Sequence, residues 1–559
     1  MATVTTNSND VLFLMDGAAF FTELHNQFQA ISGVARGSPN TYVRLAYWAA
    51  DPACRMNDPN LVGAAITLWD DIKHVVDADH RVDLILWEPD TAGKIMMMNM
   101  ASGAAWSQAA FQNWDHHNGY ATGTGGRFRV YKEPYKGWIV GTSNHQKIAI
   151  FSNNGVRTIL VGGINLDNWY WDNHAHLGTY IGSGHSDTIH DTAVRLRGPC
   201  TNAIEAEWIR RWNKSGYGDL VNNTTIQPNH ANVGGATVQV TVAFTNSEST
   251  FSRLTDIKET YETRIAAANN YIYMENYAFV DSSLVKAIRQ RIKTAVTAGI
   301  APPHVILMIP HLRSTRTAPV GHEVYDFLHR GSFAKINHPD STNIQWPTLS
   351  GGGLPIGMTT INRAAQQLWD VGDNWEIGTT FRSLTNTLYN RFLENDYFEW
   401  NSSRNSRWLG AYSSKRITDV TTLTLPGSGR MFSPVRRTAA NNWQSIYIHS
   451  KLALFDDQWL ALGTANFTYR SMNYDGEITV FINNPTIATN ARTALFNHWQ
   501  SGNVPPPIPA TFNGQANTAA GCFTANIATP GTYVVPLTLN DFWAHPPTGR
   551  EGWLNYTFY

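Results

Sequence analysis

The sequence predicts an α/β protein of two pseudo-symmetric sandwich domains, each a mixed β-sheet flanked by helices, with one site at their interface. Three observations carry that expectation. Stretches with helical apolar spacing alternate with short apolar runs of strand length. The same order of elements starts again near residue 236. A hairpin bearing one particular set of polar residues occurs twice, near residues 150 and 455.

The elements follow in order. "AAFFTELHNQFQAIS" (18–32) has helical spacing and "YVRLAYWAA" (42–50) reads as a buried strand. "AAITLWDDIKHVVDA" (64–78) is helical again and "RVDLILWEP" (81–89) is a second buried strand. A Gly-rich loop zone spans 118–127. A hairpin comes next, with strands 148–151 and 158–161 and Asn154-Gly155 as its turn signal. The polar stretch "NNTTIQPNHANVGG" (222–235) reads as a linker. Then "IKETYETRIAAANN", "YIYMENYAFV", "SLVKAIRQRIKTAVTAG" and "HVILMIP" repeat the helix–strand–helix–strand order, and the second hairpin follows. "NVPPPIPA" (503–510) closes this copy. The expected division is 1–235, 236–502, and a tail 503–559 that packs on the body.

Composition removes several function classes. A net charge of −1 over 559 residues gives no basic excess for a nucleic acid, so no nucleic-acid partner is expected. Three cysteines, Cys54, Cys200 and Cys522, are too few for a disulfide framework. No run reaches the ~18 apolar residues that span a bilayer, so membrane contact is expected to be peripheral. The N-terminus shows no basic region ahead of its short apolar run, so no signal peptide is expected to be visible in this sequence. The charge-poor, Trp-rich composition leans towards an extracellular protein, and a monomer is expected.

The hairpins carry the chemistry. "NHQKIAIFSNNGVRTILVGGIN" holds His145, Lys147, Gly162, Gly163 and Asn165; "IHSKLALFDDQWLALGTAN" holds His449, Lys451, Gly463, Thr464 and Asn466. Residues two apart on a strand share a face, so each His-x-Lys pair points one way. The hairpin returns the Gly-x-x-Asn end to the same level, and the first turn reads as three residues longer. Small residues at 162–163 and 463–464 admit a close approach to the backbone. Two such constellations facing each other make a pocket for one tetrahedral anion. Lysines and asparagines hold its oxygens, and a histidine stands on either side of its central atom. One imidazole attacks phosphorus; the other protonates the leaving alcohol. A nucleophilic imidazole needs a carboxylate on its far nitrogen. Asp191 is assigned to His145 and Glu477 to His449, with Asp475 as the rival of Glu477.

At these residues the chain resembles the phospholipase D superfamily, whose signature is His-x-Lys, four residues, Asp, then Gly-Gly or Gly-Ser and Asn. The second copy is complete: His449, Lys451, Asp456, Gly463, Asn466, with Thr464 in place of Ser and Ser471 in its downstream extension. The resemblance covers roughly residues 10–500. It implies the phospholipase D-like fold, a phosphohistidine on His145, and His449 as acid and then base. It also implies phospholipid hydrolysis to phosphatidate, with transfer to other alcohols, and chemistry that needs no cofactor or metal. One residue departs from the signature. Ser152 stands where the first copy should have its Asp, which places the rigidity of the first turn in question.

Other features have competing readings. Trp169, Tyr170 and Trp171 are expected as an aromatic loop at the pocket mouth, with packing into the core as the alternative. Glu275 either lines the pocket or caps its strand. His174, His176, His185 and His190 form a His-rich run that could bind a metal, but activity is expected to persist in chelator. "SGGGLP" (350–355) reads as a mobile loop. The alternatives to a phospholipase D are a nuclease or other phosphodiesterase of the superfamily, a lipid synthase, and a non-catalytic phospholipid-binding relative.

Overall fold

The computed structural model describes residues 3–57, 64–88, 113–134, 142–176, 188–218, 220, 230, 237–246, 254–276, 281–308, 424–425, 428–437, 443–499 and 531–536. The linker centre, the 350–355 loop, His185, Cys522 and the 503–510 segment lie outside these residues.

Two mixed sheets share one plan. In the first, β4 (Arg127–Glu133), β3 (Arg81–Trp87) and β2 (Tyr42–Tyr47) run parallel. β5 (Ile148–Asn153), β6 (Val156–Gly162), β8 (Thr192–Arg197) and β1 (Val4–Met15) continue the sheet in antiparallel fashion. In the second, β14 (Ser428–Arg437), β12 (His304–Met308) and β11 (Tyr271–Glu275) run parallel. β16 (Leu452–Phe455), β17 (Trp459–Gly463), β18 (Glu477–Asn483) and β9 (Val238–Asn246) follow antiparallel. The order 4-3-2-5-6-8-1 therefore maps strand for strand onto 14-12-11-16-17-18-9. β1 joins the sheets: Asp10–Met15 pair with β8, and Val4–Asn9 pair with β9. A bulge between Thr6 and Asn9, with Ser8 at φ 60°, makes the turn from one sheet to the other. β7 (Thr188–His190) pairs in parallel with β15 (Trp443–Ile448). β10 (Leu254–Thr255) pairs with β9, β13 (Thr424–Leu425) and β19 (Gly531–Pro536) pair with β14, and a short helix α6 (Tyr469–Asn473) precedes β18.

Alternation along the central strands divides two cores. Ala46, Ile85, Ile148 and Ile150 face a core shared with Leu454, Leu462, Val480 and Ile482 of the second sheet. Their neighbours Leu45, Leu84, Ala149 and Phe151 face the opposite side. There they meet α1 (Asp16–Ser32), whose Phe20, Phe21, Leu24, Phe28 and Ile31 form one stripe, and α2 (Leu68–Asp77). α2 starts where the Thr67 side chain and Asp70 cap each other's backbone. α3 (Thr201–Trp212) and α7 (Pro485–Trp499) contribute Trp208, Trp212 and Trp499 to the shared core. α4 (Asp256–Ala267) and α5 (Ser282–Thr297) pack together, and Tyr261 of α4 meets Phe481 of β18 edge-on at 4.9 Å. Cys54 and Cys200 are buried free thiols.

The hairpins differ otherwise than the spacing suggests. The first has six cross-strand pairs and a two-residue Asn154-Gly155 turn, both residues at positive φ. The second has four pairs and a three-residue turn. The extra length therefore lies in the strands, because Asn-Gly closes the tighter turn. Asp456, at φ 54°, turns out of the strand and accepts the N–H groups of Asn269, Asn270 and Tyr271 ahead of β11. Ser152 stays in its strand opposite Tyr42, and its hydroxyl donates to the Asn40 carbonyl at 2.6 Å. It keeps one tie where Asp456 makes three. Asp456→Ala is expected to cost about 2–3 kcal/mol and Ser152→Ala about 1 kcal/mol in urea unfolding. Equal losses would contradict this division.

Candidate active site

Each histidine ends a segment that pairs with the other half of the molecule. The His145 N–H donates to the Gly476 carbonyl and the His449 N–H to the His190 carbonyl, both at 2.8 Å. Gly476 and His190 each precede a carboxylate. The pairing is consequently crossed: His145 Nδ1 meets Glu477 at 3.0 and 3.2 Å, and His449 Nδ1 meets Asp191 at 2.7 Å. This corrects the assignment of each acid to the histidine of its own copy. A hairpin brings the acid beside its own Gly-x-x-Asn end, but packing of the two sheets sets that end against the opposite histidine. Asp475 does not compete. It accepts the Ser143 N–H at 2.7 Å and an Arg470 guanidinium at 2.8 Å.

The acids are themselves held. Glu477 accepts the Thr464 and Ser471 hydroxyls, both at 2.6 Å, while the Thr464 carbonyl lies 3.1 Å from His145 Nδ1. Asp191 accepts the Thr192 N–H at 2.8 Å. The glycines serve this packing: a Cβ on Gly163 would lie 2.1 Å from Asp191 Oδ1. One on Gly162 would lie 2.4 Å from the Thr192 carbonyl, and one on Gly463 2.2 Å from the Ile478 carbonyl. The close approach read from the sequence is thus made by the neighbouring strand and acid.

Lys147 and Lys451 are buried, and each ammonium donates to the carbonyl of its own histidine, Lys147 at 2.9 Å. Asn165 Nδ2 donates to the Tyr170 hydroxyl at 2.9 Å. Asn165 Oδ1 and Asn466 Oδ1 are buried with no hydrogen-bond partner among the described residues. Rotating the Asn165 amide lets Tyr170 donate to Oδ1 and leaves Nδ2 to donate to an anion.

With Nδ1 donating to Glu477, His145 presents the lone pair of Nε2. Burial, then the charges of Lys147 and Lys451, holds its imidazole well below the usual histidine range, so it is neutral. Burial brings Lys147 down to about 7 and Lys451 to about 8, against the pull of Glu477 and Asp191. Burial also raises Asp191 to about 7 and Glu477 to about 7, opposed chiefly by Lys451 and Lys147 respectively.

These shifts set a pH dependence. The carboxylates are ionised above about 7, and the ammonium groups are charged below about 7 to 8. A narrow bell in kcat/KM is expected, falling on the acid side as the carboxylates protonate and on the alkaline side as the lysines lose protons. A bound phosphodiester favours the charged lysines, so the alkaline limb of kcat should lie at higher pH than that of kcat/KM. Paired pH profiles check this; coincident alkaline limbs would exclude lysine–anion coupling.

Aromatic rings frame both histidines. Trp48 meets His145 edge-on at 6.0 Å and stacks on Trp87 at 5.5 Å. Tyr170 meets His449 edge-on at 5.2 Å, and Tyr447 lies over His449 at 6.1 Å. Trp169 is half-buried against Tyr447. Trp171 and Tyr170 belong to the core and are each 3% exposed, so neither is a mouth residue; Trp171 stacks on Phe21 at 4.9 Å, while Tyr170 reaches the site from below through its contacts to Asn165 and His449. Glu275 does not line the pocket either. It is fully buried, 3.1 Å from His190 and within 3.2 Å of the Trp499 indole N–H. Trp48 and Tyr447 were not singled out from the sequence. Tyr447-x-His449 share a strand face by simple alternation, and that signal was present.

Residues 415–499 match the family model described as the PLD-like domain of cardiolipin synthase. This stretch carries His449, Lys451, Asn466 and Glu477, and the same constellation recurs around His145 across the pseudo-twofold arrangement. Residues 415–499 are thus a PLD-like domain. A comparison with curated proteins finds no match. Three solved structures are similar at low identity. Phosphatidylserine synthase of Haemophilus influenzae Rd KW20 is 12% identical with TM-score 0.41, over 93% of this chain and 95% of that one. Polyphosphate kinase of Porphyromonas gingivalis is 9% identical with TM-score 0.37, over 86% and 46%. NucT of Helicobacter pylori is 10% identical with TM-score 0.21, over 46% and 92%. Among the described residues no helix is long and apolar enough to cross a membrane.

Proposed function

We propose that this protein is a member of the phospholipase D superfamily and a phospholipase D acting through a phosphohistidine, with one half-site from residues 1–235 and the other from 236–502. The observation that carries the reading is the crossed pair of carboxylate-held histidines, His145–Glu477 and His449–Asp191, with Lys147 and Lys451 buried beside them. His145 Nε2 forms a bond to phosphorus as the bond to the headgroup oxygen breaks, and His449 gives that oxygen its proton. Water then attacks phosphorus, the P–N bond breaks, and His449 takes the water's proton. Lys147, Lys451, Asn165 and Asn466 stabilise charge on the equatorial oxygens.

The half-buried aromatic rings of Trp48, Trp169 and Tyr447 beside the two histidines support a phospholipid at a membrane or micelle surface as substrate. The net charge of −1 speaks against a polyanion. Any alcohol that reaches the phosphohistidine opens it as water does. The matched family model is named for a cardiolipin synthase, which favours transfer to a lipid alcohol as the second reading. The test offers the purified protein phosphatidylcholine vesicles with and without ethanol, phosphatidylglycerol vesicles, a soluble phosphodiester reporter and single-stranded DNA. Free choline with phosphatidate, and phosphatidylethanol when ethanol is present, is the expected result. Cardiolipin formation alone would select the synthase reading, cleavage of DNA alone the nuclease reading, and lipid binding without turnover the non-catalytic one.

A further inference from the structure

Behind His449 lies a second cluster that the phosphodiester chemistry does not use. Asp16, His176, His190 and His498 each place one donor atom within 4.8 Å of the other three. They come from four separate pieces of chain: the start of α1, the loop after Tyr170, strand β7 and the last turn of α7. Asp16, His176 and His190 are 0% exposed and His498 is 7% exposed.

The nitrogens are arranged as a metal site arranges them. His176 Nε2 faces His498 Nε2 at 2.8 Å, and His190 Nδ1 faces Asp16 Oδ1 at 2.7 Å. The far nitrogens of two of these rings sit on carboxylates: His176 Nδ1 on Asp172 at 2.7 Å and His190 Nε2 on Glu275 at 3.1 Å. The outer oxygen of Asp16 is held by His174 at 2.9 Å. A carboxylate behind a ligating imidazole fixes the tautomer that turns a lone pair inward. Asp16 and His176 both adopt left-handed backbone, at φ 65° and 46°. Neither is glycine, the residue that adopts this conformation most readily.

We propose that Asp16, His176, His190 and His498 bind one divalent zinc-type cation in a closed four-coordinate site. Three imidazole nitrogens and one carboxylate oxygen are a zinc donor set. A dication also offsets the buried carboxylates Asp16, Asp172 and Glu275, which are otherwise costly to enclose. Loading opens the 2.7–2.8 Å contacts to the tetrahedral edge of ~3.3 Å that Zn–N bonds of ~2.0 Å impose. Four protein donors leave no open position, so the ion does not touch substrate. Its effect is positional. Asp16 N–H donates to the Asp191 carbonyl at 2.8 Å, Ile189 N–H donates to Asp172 at 2.9 Å, and the His190 carbonyl holds the His449 N–H. The ion therefore fixes the segment that presents Asp191 to His449, whereas the His145 side, with Gly476 at the position of His190, has no such clamp among the described residues.

The test uses the full untagged chain, purified, incubated with zinc and passed through a desalting column. Elemental analysis should find one equivalent of zinc per chain, and X-ray absorption at the zinc edge should show three imidazoles and one oxygen. His498→Gln and His176→Gln should each lose the equivalent, and stripping the wild type under mild denaturant should lower its melting temperature until zinc is restored. Absence of stoichiometric zinc in the wild type would overturn the proposal and leave a hydrogen-bonded network of imidazoles and carboxylates in its place. So would an absorption spectrum without imidazole scattering, which needs no variant to fold.

Discussion

His145→Ala is expected to form no phosphoenzyme with any substrate, whereas His449→Ala is expected to form one from a substrate with a good leaving group and then to stall. Both variants lose at least ~10⁴-fold in steady-state turnover, because the groups act as a unit and either loss stops the cycle. The difference lies in the steps. His145 is neutral with its Nε2 lone pair free, as attack on phosphorus requires. An acidic leaving group departs without help from His449, but water then lacks a base to activate it. Acid-quench trapping and peptide mass spectrometry read the adduct directly. Phosphate on His449 in the wild type would reverse the two roles.

The second large effect follows from the crossed acids. Glu477→Gln should abolish adduct formation, and Asp191→Asn should permit it with an activated substrate yet block its hydrolysis, each at a cost of ~10²- to 10⁴-fold. The phenotype of each acid variant should match that of the histidine in the opposite half. Gly163→Ala should resemble Asp191→Asn, since its Cβ would lie 2.1 Å from Asp191 Oδ1 and force the carboxylate away. Had each acid served its own copy, the two phenotypes would be exchanged. Single-turnover kinetics with a nitrophenyl phosphodiester distinguish the two patterns.

Much of this was legible in the sequence, for identifiable reasons. α1, α2, β2, β3 and the hairpins are long or strongly periodic, and repetition fixed their order. The paired His, Lys and Asn residues followed from alternation along two strands. β1 escaped because its first half, "VTTNSND", is polar and serves a different sheet from its second half. The crossing of the acids was hidden for a related reason: spacing places each acid equally well for either histidine, and only sheet-on-sheet packing decides. Tyr170 and Trp171 could not be told from Trp169 by type, since burial of neighbouring aromatics depends on the direction each side chain takes from the 168–170 turn. The Asp16 cluster draws on residues 16 to 498, a separation no local pattern spans.

Because each imidazole takes its carboxylate from across the divide, a severed half would be inert by construction. The free energy that keeps the halves together and the free energy that keeps both imidazoles poised are one quantity. Any fluctuation that parts them silences donor and nucleophile simultaneously, so no half-competent species accumulates to leave a phosphoryl group stranded. Proteolytic fragments, denaturant and heat should accordingly extinguish both half-reactions at a common midpoint, and amide exchange at Gly476 and His449 should follow the same opening event.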